Sequence, residues 1–187
     1  MLHPYAHRHM GIEEITWLRL GRLLTNAAKA IRKGEWAPEL VVGIAKGGVI
    51  PAVFLSSAFQ VDFFPIKLSS RHNEKTVHQQ PVWYVYPTDQ VRDKSVLLVD
   101  DICVAGRTFE MAKEELQKHG PREIRTFAVA AHKGSVQPDY VALVRDALVI
   151  WPWDKYAFTK TGKWRTNPEY ATEINKIESY THKSGQR

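Results

Sequence analysis

The sequence has a single cysteine, Cys103, so it cannot form a disulfide within the chain. A disulfide-rich secreted scaffold is therefore excluded. No base is evident near Cys103 in the sequence, so we expect a small packed thiol rather than a nucleophile. No apolar run approaches the roughly 20 residues of a membrane span. The first ten residues are rich in histidine and polar groups and lack a signal-peptide core. We expect a cytoplasmic protein without a membrane partner.

Dense blocks of lysine and arginine are also missing, although the formal net charge is +6. A basic balance favours an anionic partner, such as nucleic acid or a phosphorylated metabolite. Because the positive charges are scattered along the chain, we expect a small anion and no nucleic acid; a solvated basic surface without functional meaning is the alternative. Internal repeats and low-complexity tracts are absent. The length predicts one domain, 1–187, with a core at about 12–154 and an extension at about 155–187.

The most informative stretch runs from Ser95 to Thr108. Four apolar residues lead into Asp100 and Asp101, a short glycine-containing loop follows, and a helix is predicted from Phe109. In open α/β sheets, ligands bind at the carboxyl ends of strands, where loop amides and helix N-termini attract anions. The acids could be a simple turn pair, but buried carboxylates without partners are costly. The pattern therefore predicts a site for a phosphorylated sugar, with carboxylates that hold hydroxyl groups or a metal ion.

A second strand–loop–helix pattern precedes it in the chain. Leu40–Ile44 is a short apolar run typical of a buried parallel strand, and Val49–Phe59 is predicted to be a helix. Lys46, Gly47 and Gly48 lie between them. Glycines let backbone amides approach a phosphate closely, and the lysine adds positive charge. Many tight turns contain a glycine pair, so this loop alone is weak evidence for an anion site. The evidence is stronger because the chain has two strand–loop–helix patterns of this kind.

Strands and helices alternate along the rest of the chain, which predicts an α/β fold with a doubly wound, mainly parallel sheet and a small C-terminal hood. The long polar segment 69–81 is interpreted as a lid that closes over the site, with a passive surface hairpin as the alternative. The remaining predicted elements are a helix from Ile12 to Lys33 and strands at Val61–Leu68, Val82–Tyr86 and Ile124–Ala131. Short apolar runs follow at Asp139–Val144 and Leu148–Trp151.

Several of these stretches resemble one family. Val96–Thr108 resembles the phosphoribosyl-pyrophosphate signature of the type I phosphoribosyltransferases, in which four apolar residues precede an acidic pair and a Thr/Ala-Gly-x-Thr loop. Ile44–Gly48 is similar to their pyrophosphate loop, and Leu68–Ser70 to the start of their flexible catalytic loop. Lys133 and Trp151–Asp154 are similar to the purine-binding parts of the 6-oxopurine members. The nearest resemblance is to xanthine-guanine and hypoxanthine phosphoribosyltransferases, over most of the chain.

The resemblance implies transfer of the 5-phosphoribosyl group from phosphoribosyl pyrophosphate to a purine base, giving a nucleoside monophosphate and pyrophosphate. It implies Mg²⁺ as cofactor, small-molecule substrates and a homodimer. Catalysis would rest on charge neutralisation and positioning rather than on a protein nucleophile. Hypoxanthine, guanine or xanthine is the expected base. Adenine at the same site is one alternative, and a phosphoribosyl-pyrophosphate-sensing regulator without catalysis is an alternative of another class.

The resemblance also assigns roles to individual residues, most of them in predicted loops at the carboxyl ends of strands. Catalysis is assigned to Asp100, Asp101, Lys46 and Arg71. Binding of phosphoribosyl pyrophosphate is assigned to Lys46, Gly47, Gly48, Ser69, Ser70, Asp100, Asp101, Val104, Ala105, Gly106, Arg107 and Thr108. Binding of the base is assigned to Ile102, Lys133, Leu148, Val149, Trp151 and Trp153. Binding of the metal ion is assigned to Asp100, Asp101 and Asp154.

Three positions depart from the 6-oxopurine pattern. Val104 stands where many members have an aspartate that serves the purine N7. Arg71 follows the serine pair of the predicted lid, where the xanthine-guanine enzymes often have tyrosine. Leu148 stands at the place of the base-stacking aromatic, so either Leu148 covers the base or a downstream tryptophan does. These differences keep the adenine alternative open.

Overall fold

The computed structural model describes residues 11–69, 71–72, 75–76, 81–168 and 170–171. They fall into two compact units. The sheet unit is Arg22–Val144, and the terminal unit consists of the described parts of Met1–Gly21 and Arg145–Arg187. No helix in these described ranges is both long and apolar enough to cross a membrane.

The secondary structure alternates between strands and helices over most of the chain. In chain order the elements are β1 (Ile12–Glu14), α1 (Trp17–Lys33), β2 (Leu40–Ile44), α2 (Val49–Phe59), β3 (Asp62–Ser69), β4 (Arg71–His72), β5 (Lys75–Thr76), β6 (Val82–Val85), a 3-10 turn (Asp89–Val91), β7 (Ser95–Cys103), α3 (Arg107–Gln117), β8 (Glu123–Ala131), β9 (Tyr140–Val144), β10 (Leu148–Ile150), β11 (Tyr156–Phe158) and β12 (Trp164–Thr166).

The sheet unit is organised by a six-stranded sheet with the order β6-β3-β2-β7-β8-β9. Strands β3, β2, β7, β8 and β9 are parallel to one another, and β6 is an antiparallel edge strand. Counted along the chain, the parallel strands have the order 2-1-3-4-5 of a doubly wound fold. The connection from β2 through α2 to β3 and the connection from β7 through α3 to β8 lead in opposite directions across the sheet. Because crossovers between parallel strands are right-handed, α2 and α3 lie on opposite faces of the sheet. The predicted fold class is confirmed.

The core lies where the central strands are covered on both faces. All five residues of β2 are buried, as are the first six of β7, so both strands read as continuous apolar runs rather than alternating ones. Helix α3 packs Phe109, Ala112 and Leu116 against this sheet. Their spacing of three and four residues forms one apolar stripe along the helix. This packing fixes the start of α3 next to the end of β7.

The predicted helix from Ile12 is wrong in its first turn. Residues 12–14 form β1, which pairs in parallel with β10, and the helix begins at Trp17. Thr16 separates the two elements, because its hydroxyl accepts a hydrogen bond from the Arg19 amide at 3.2 Å and its carbonyl accepts one from the Leu20 amide. The buried side chain of Ile15 fits either element, so its apolar character could not separate strand from helix.

The predicted C-terminal hood corresponds to a small antiparallel hairpin in the terminal unit. It consists of β11 and β12, and Phe158 lies opposite Trp164. The chain turns back between them through a five-residue loop, in which the Thr159 amide donates to the Lys163 carbonyl at 2.8 Å. The predicted extension beyond residue 171 lies outside the described residues.

Candidate functional site

Two loops meet at the point where the strand order of the sheet reverses. Strands β2 and β7 are parallel neighbours, and their crossovers lead away from each other. Such a reversal opens a crevice at the carboxyl ends of the two strands, where doubly wound folds bind ligands. Residues 45–48 follow β2, and residues 104–106 follow β7. The two loops that the sequence assigned to the pyrophosphate and to the 5-phosphate are therefore brought together.

Gly47 and Gly48 place the first loop directly against β7. A Cβ atom on Gly47 would overlap the carboxylate of Asp101. A Cβ atom on Gly48 would lie 2.8 Å from the Cα atom of Asp100, closer than van der Waals contact allows. Glycine is therefore required at both positions for the loop to approach this closely. Lys46, on the same loop, has an exposed side chain.

The acidic pair lies on the strand itself, because β7 continues beyond it to Cys103. Successive side chains of a strand point to opposite faces, so the two carboxylates have different surroundings. Asp100 is only 9% exposed, and its Oδ1 accepts a hydrogen bond from the Asp101 amide at 2.9 Å. Asp101 is partly exposed beside Gly47, and its Oδ1 accepts one from the Ile102 amide at 2.7 Å. Asp101 is thus the carboxylate more accessible to a ligand.

Burial raises the pKa of Asp100 well above its ordinary value, and the neighbouring negative charge of Asp101 raises this pKa further. The hydrogen bond from the Asp101 amide opposes the shift but does not cancel it. A carboxylate kept in such a place weakens the fold at neutral pH. Residues with strongly shifted pKa values are often found at functional sites.

Replacing Asp100 with asparagine is expected to make the metal-free protein more stable at neutral pH. An acid whose pKa is raised by folding destabilises the fold above the folded-state pKa and has no effect below its unfolded-state pKa. The stability advantage of Asp100→Asn should therefore shrink as the pH falls through the raised pKa. Each 1 kcal/mol gained raises the melting temperature by about 2–4 °C in a chain of this size. Thermal melts of both proteins in chelator-containing buffer measure this difference, and equal melting temperatures at neutral pH would contradict it.

The second loop ends at Gly106, which occupies the N-cap of α3 with a φ of +86°. Glycine has no side chain to cap the helix, so the amides of the first turn receive no hydrogen bond from that position. Such amides form a favourable anion site, and Thr108 lies in the same turn. The guanidinium of Arg107 instead pairs with Glu110 at 3.2 Å on the helix surface. The expected role of Arg107 in phosphate binding therefore rests on its backbone.

The loop after β8 packs against this second loop. The Cys103 thiol donates a hydrogen bond to the carbonyl oxygen of Val136 at 3.3 Å. A Cβ atom on Gly106 would lie 2.9 Å from the Cβ atom of Val136. Burial raises the pKa of the Cys103 thiol, which is 2% exposed and so stays packed and protonated. This agrees with a packed thiol rather than a nucleophile.

Side-chain hydrogen bonds link residues within the loop after β8. The Gln137 side-chain amide donates to the His132 carbonyl at 3.0 Å and to the Ser135 hydroxyl at 2.8 Å. The Ser135 hydroxyl donates to the same carbonyl at 2.8 Å. Lys133, a predicted base contact, is exposed on this loop. Sequence reasoning missed Val136, because its contacts with Cys103 and Gly106, about thirty positions away, leave no local pattern.

Four of the other predicted base contacts lie in the terminal unit. Leu148 and Val149 belong to β10, and Val149 is buried. The rings of Trp151 and Trp153 stack, with centroids 4.9 Å apart and an interplanar angle of 7°. One face of each indole is therefore already covered. Ile102, by contrast, lies on β7 in the sheet unit, directly after the acidic pair.

The predicted metal ligands are divided between the two units. Asp100 and Asp101 lie in the sheet unit, whereas Asp154 lies in the terminal unit. The hydroxyl of Tyr170 donates to Oδ1 of Asp154 at 2.6 Å. Among the described residues, no cluster of three or more His, Cys, Asp and Glu side chains could form a metal site. Mg²⁺, however, commonly binds to one or two carboxylates and completes its shell with water and substrate phosphates, so the acidic pair fits this ion.

The predicted lid lies mostly outside the described residues. Ser69 ends β3 and is partly buried. The backbones of β4 and β5 pair in an antiparallel arrangement, with Arg71 opposite Thr76. Ser70 and the side chain of Arg71 lie outside the described part of the chain, so their assigned roles and the closing of the lid stay predictions.

Solved structures from other organisms share this fold, and three serve as examples. A purine phosphoribosyltransferase from Pyrococcus horikoshii Ot3 is 27% identical, with a TM-score of 0.68 over 80% of this chain and 98% of that one. A hypothetical protein from Neisseria gonorrhoeae with bound ppGpp is 20% identical, with a TM-score of 0.67 over 77% and 89%. The Helicobacter pylori xanthine-guanine-hypoxanthine phosphoribosyltransferase is 16% identical, with a TM-score of 0.65 over 78% and 93%. At such identities the last two show the fold alone.

Sequence comparison identifies the family. A curated relative, the bifunctional protein PyrR of Ralstonia nicotianae, is 30% identical over 116 residues. The match covers 58% of this chain and 64% of that protein, so the chain spans less than two thirds of the relative's length. Residues 16–155 match the phosphoribosyl transferase domain family and include both loops and the acidic pair of the crevice. The chain therefore belongs to the phosphoribosyltransferase family.

Proposed function

We propose that this protein transfers the 5-phosphoribosyl group of phosphoribosyl pyrophosphate to a 6-oxopurine base, releasing pyrophosphate. The observation that carries the proposal is the close approach of Gly47 to Asp101, which brings the loop after β2 against the end of β7 at the strand reversal. A backbone-lined anion site, a carboxylate pair and a second anion site then lie side by side. This order matches a substrate with a phosphate, a diol-bearing sugar and a pyrophosphate.

In this proposal, the backbone amides of residues 104–108 and the Thr108 hydroxyl hold the 5-phosphate. The carboxylates of Asp100 and Asp101 accept hydrogen bonds from the ribose hydroxyls. Lys46 and the amides of Gly47 and Gly48 hold the pyrophosphate. Support comes from the uncapped first turn of α3 and from the close approach that only glycine permits. Holding both ends of the sugar phosphate fixes its anomeric carbon for attack by the base.

Asp101 and Asp100 would hold Mg²⁺, directly or through water, and Asp154 is proposed as a further contact. Bound Mg²⁺ would supply charge neutralisation on the leaving pyrophosphate. Lys46 and the amides of its loop would act on the same charge. We propose that segment 69–81, including Ser69, Ser70 and Arg71, closes over the site and excludes water.

The base is proposed to lie between Ile102 and Lys133 of the sheet unit, with Lys133 donating to the purine O6. Leu148, Val149, Trp151 and Trp153 are its proposed apolar contacts. The name of the P. horikoshii relative favours a purine. Val104 favours the adenine alternative, because valine offers no polar group to the purine N7. We also propose a cytoplasmic homodimer that acts in purine salvage.

A pyrophosphate-release assay with purified protein, Mg²⁺ and phosphoribosyl pyrophosphate tests this function. We expect release with at least one of hypoxanthine, guanine and xanthine, and the matching nucleoside monophosphate in the mass spectrum of the products. Release with adenine alone would replace the 6-oxopurine assignment. No release with any base, together with intact phosphoribosyl-pyrophosphate binding, would favour a sensing regulator instead.

A further inference from the structure

The hairpin β11–β12 carries three aromatic rings on one face. Tyr156 and Phe158 are two positions apart on β11, so their side chains point to the same face. Trp164 lies opposite Phe158 on β12. The ring centroids of Phe158 and Trp164 are 4.7 Å apart, and those of Tyr156 and Trp164 are 6.1 Å apart. The three residues are 44%, 71% and 59% exposed in chain order. We call Tyr156, Phe158 and Trp164 the aromatic platform, which is far more apolar surface than a scattered exposed side chain.

Positive charge surrounds this platform. The segment 155–166 contains Lys155, Lys160, Lys163 and Arg165 and no acidic residue. Lys155 pairs with Glu14 at 2.6 Å and lies over the Tyr156 ring. Lys160 and Lys163 sit in the hairpin loop and form no ion pair with any residue that the structure describes. A hydrogen bond from the Lys163 amide to the Thr159 hydroxyl, at 3.1 Å, spans this loop.

We propose that this hairpin binds single-stranded nucleic acid. Bases stack on exposed aromatic rings whatever their sequence, and neighbouring lysines neutralise the phosphates between them. Lys160 and Lys163 flank the end of the aromatic platform at Phe158 and Trp164. Scattered charges along the chain led to the expectation of no nucleic-acid partner. Folding of the hairpin brings two of those charges beside three rings, which changes that expectation.

The charge of the hairpin favours nucleic acid over a second copy of the chain as its partner. A two-fold contact between two such hairpins would bring equal sets of lysines together, and like charges at close range repel. A membrane surface fits less well, because the tip of the hairpin is Thr-Lys-Thr-Gly-Lys and the rings lie on the strands behind it. Interfacial anchors instead place apolar side chains where they enter the lipid first. A polyanion with flat apolar faces fits both the charges and the rings.

Fluorescence anisotropy of labelled single strands of about ten nucleotides, a length that small aromatic sites cover, tests the proposal on the full chain. Oligo(U) and oligo(dT) distinguish RNA from DNA, and either one would support the proposal. We expect Trp164→Ala and Phe158→Ala each to weaken binding about tenfold or more. Lys160→Ala with Lys163→Ala should reduce the slope of log affinity against log salt by about 0.7 per lost phosphate contact. Tyr86→Ala, at an exposed aromatic residue outside the hairpin, is the matched control and should bind as wild type.

Three results would overturn the proposal. They are the absence of binding to both oligonucleotides at low salt, equal binding by the Trp164→Ala variant, and binding to vesicles of anionic lipid but not to oligonucleotides. Light scattering adds a check, because a dimer that Trp164→Ala splits without any nucleic-acid binding would identify a second copy as the occupant. Circular dichroism melts confirm that each variant is folded. The phosphoribosyl-transfer assay is independent, because no residue of the aromatic platform belongs to the proposed catalytic machinery.

Discussion

Gly47→Ala is expected to lower kcat/KM for phosphoribosyl pyrophosphate by about 100-fold or more, as displacement by an ångström can do in a positioned site. The added methyl group would overlap the Asp101 carboxylate, so the loop after β2 must move away from β7 or the carboxylate must turn. Either change separates the pyrophosphate contacts from the ribose contacts. Steady-state pyrophosphate release at varied substrate concentration measures the loss.

Gly21→Ala is the matched control for this substitution. Gly21 lies inside α1, and a Cβ atom there would meet nothing within 4 Å. Alanine at that position should raise stability by roughly 0.5–1 kcal/mol, because it favours the helix and costs no space. Its kinetic constants should equal those of wild type. A Gly47→Ala protein with wild-type kcat/KM would show that the contact between the loop and Asp101 is not needed.

Asp101→Asn is expected to lower kcat/KM by about 100-fold, the usual cost of removing one charge-stabilising group from an active site. Asparagine has nearly the same shape and can still accept the hydrogen bond from the Ile102 amide, so the loss is one of charge. The variant should also need more Mg²⁺ for half-maximal activity. Rates measured over a series of Mg²⁺ concentrations report both effects.

Asp62→Asn is the control for this loss of charge. Asp62 is exposed at the start of β3. It lies beside the start of β2, at the amino ends of the parallel strands, whereas the crevice lies at their carboxyl ends. Its substitution changes net charge by the same amount without touching the site. If Asp62→Asn and Asp101→Asn reduced activity equally, the effect would be due to overall charge and the assignment of Asp101 would be wrong.

The two central strands could be predicted because burial on both faces imposes a continuous apolar run. Leu40–Ile44 and the four residues before Asp100 both show it, and the lysine and glycines that follow β2 mark the loop between β2 and α2. The bounds of α2 were predicted correctly as Val49–Phe59. These signals are local, so the order of elements and the two loops of the crevice follow from the sequence.

Contacts between distant segments could not be predicted in the same way. Residues 12–14 are a strand only because β10, more than a hundred residues later, offers a partner. The packing of Val136 on Gly106 and Cys103 depends equally on the sheet that brings the loops together. The grouping of Tyr156 and Phe158 beside Trp164 needs the register of the hairpin. Tertiary pairing decides each of these, whereas periodicity and composition do not.

Isothermal titration of phosphoribosyl pyrophosphate in the presence of Mg²⁺ tests most directly whether the strand reversal forms the substrate site. Wild type and Gly21→Ala should bind with the same affinity, and Gly47→Ala should bind far more weakly or not at all while remaining folded. This measurement does not depend on the identity of the base. Equal affinity for wild type and Gly47→Ala, or no binding by any of the three proteins, would contradict the account.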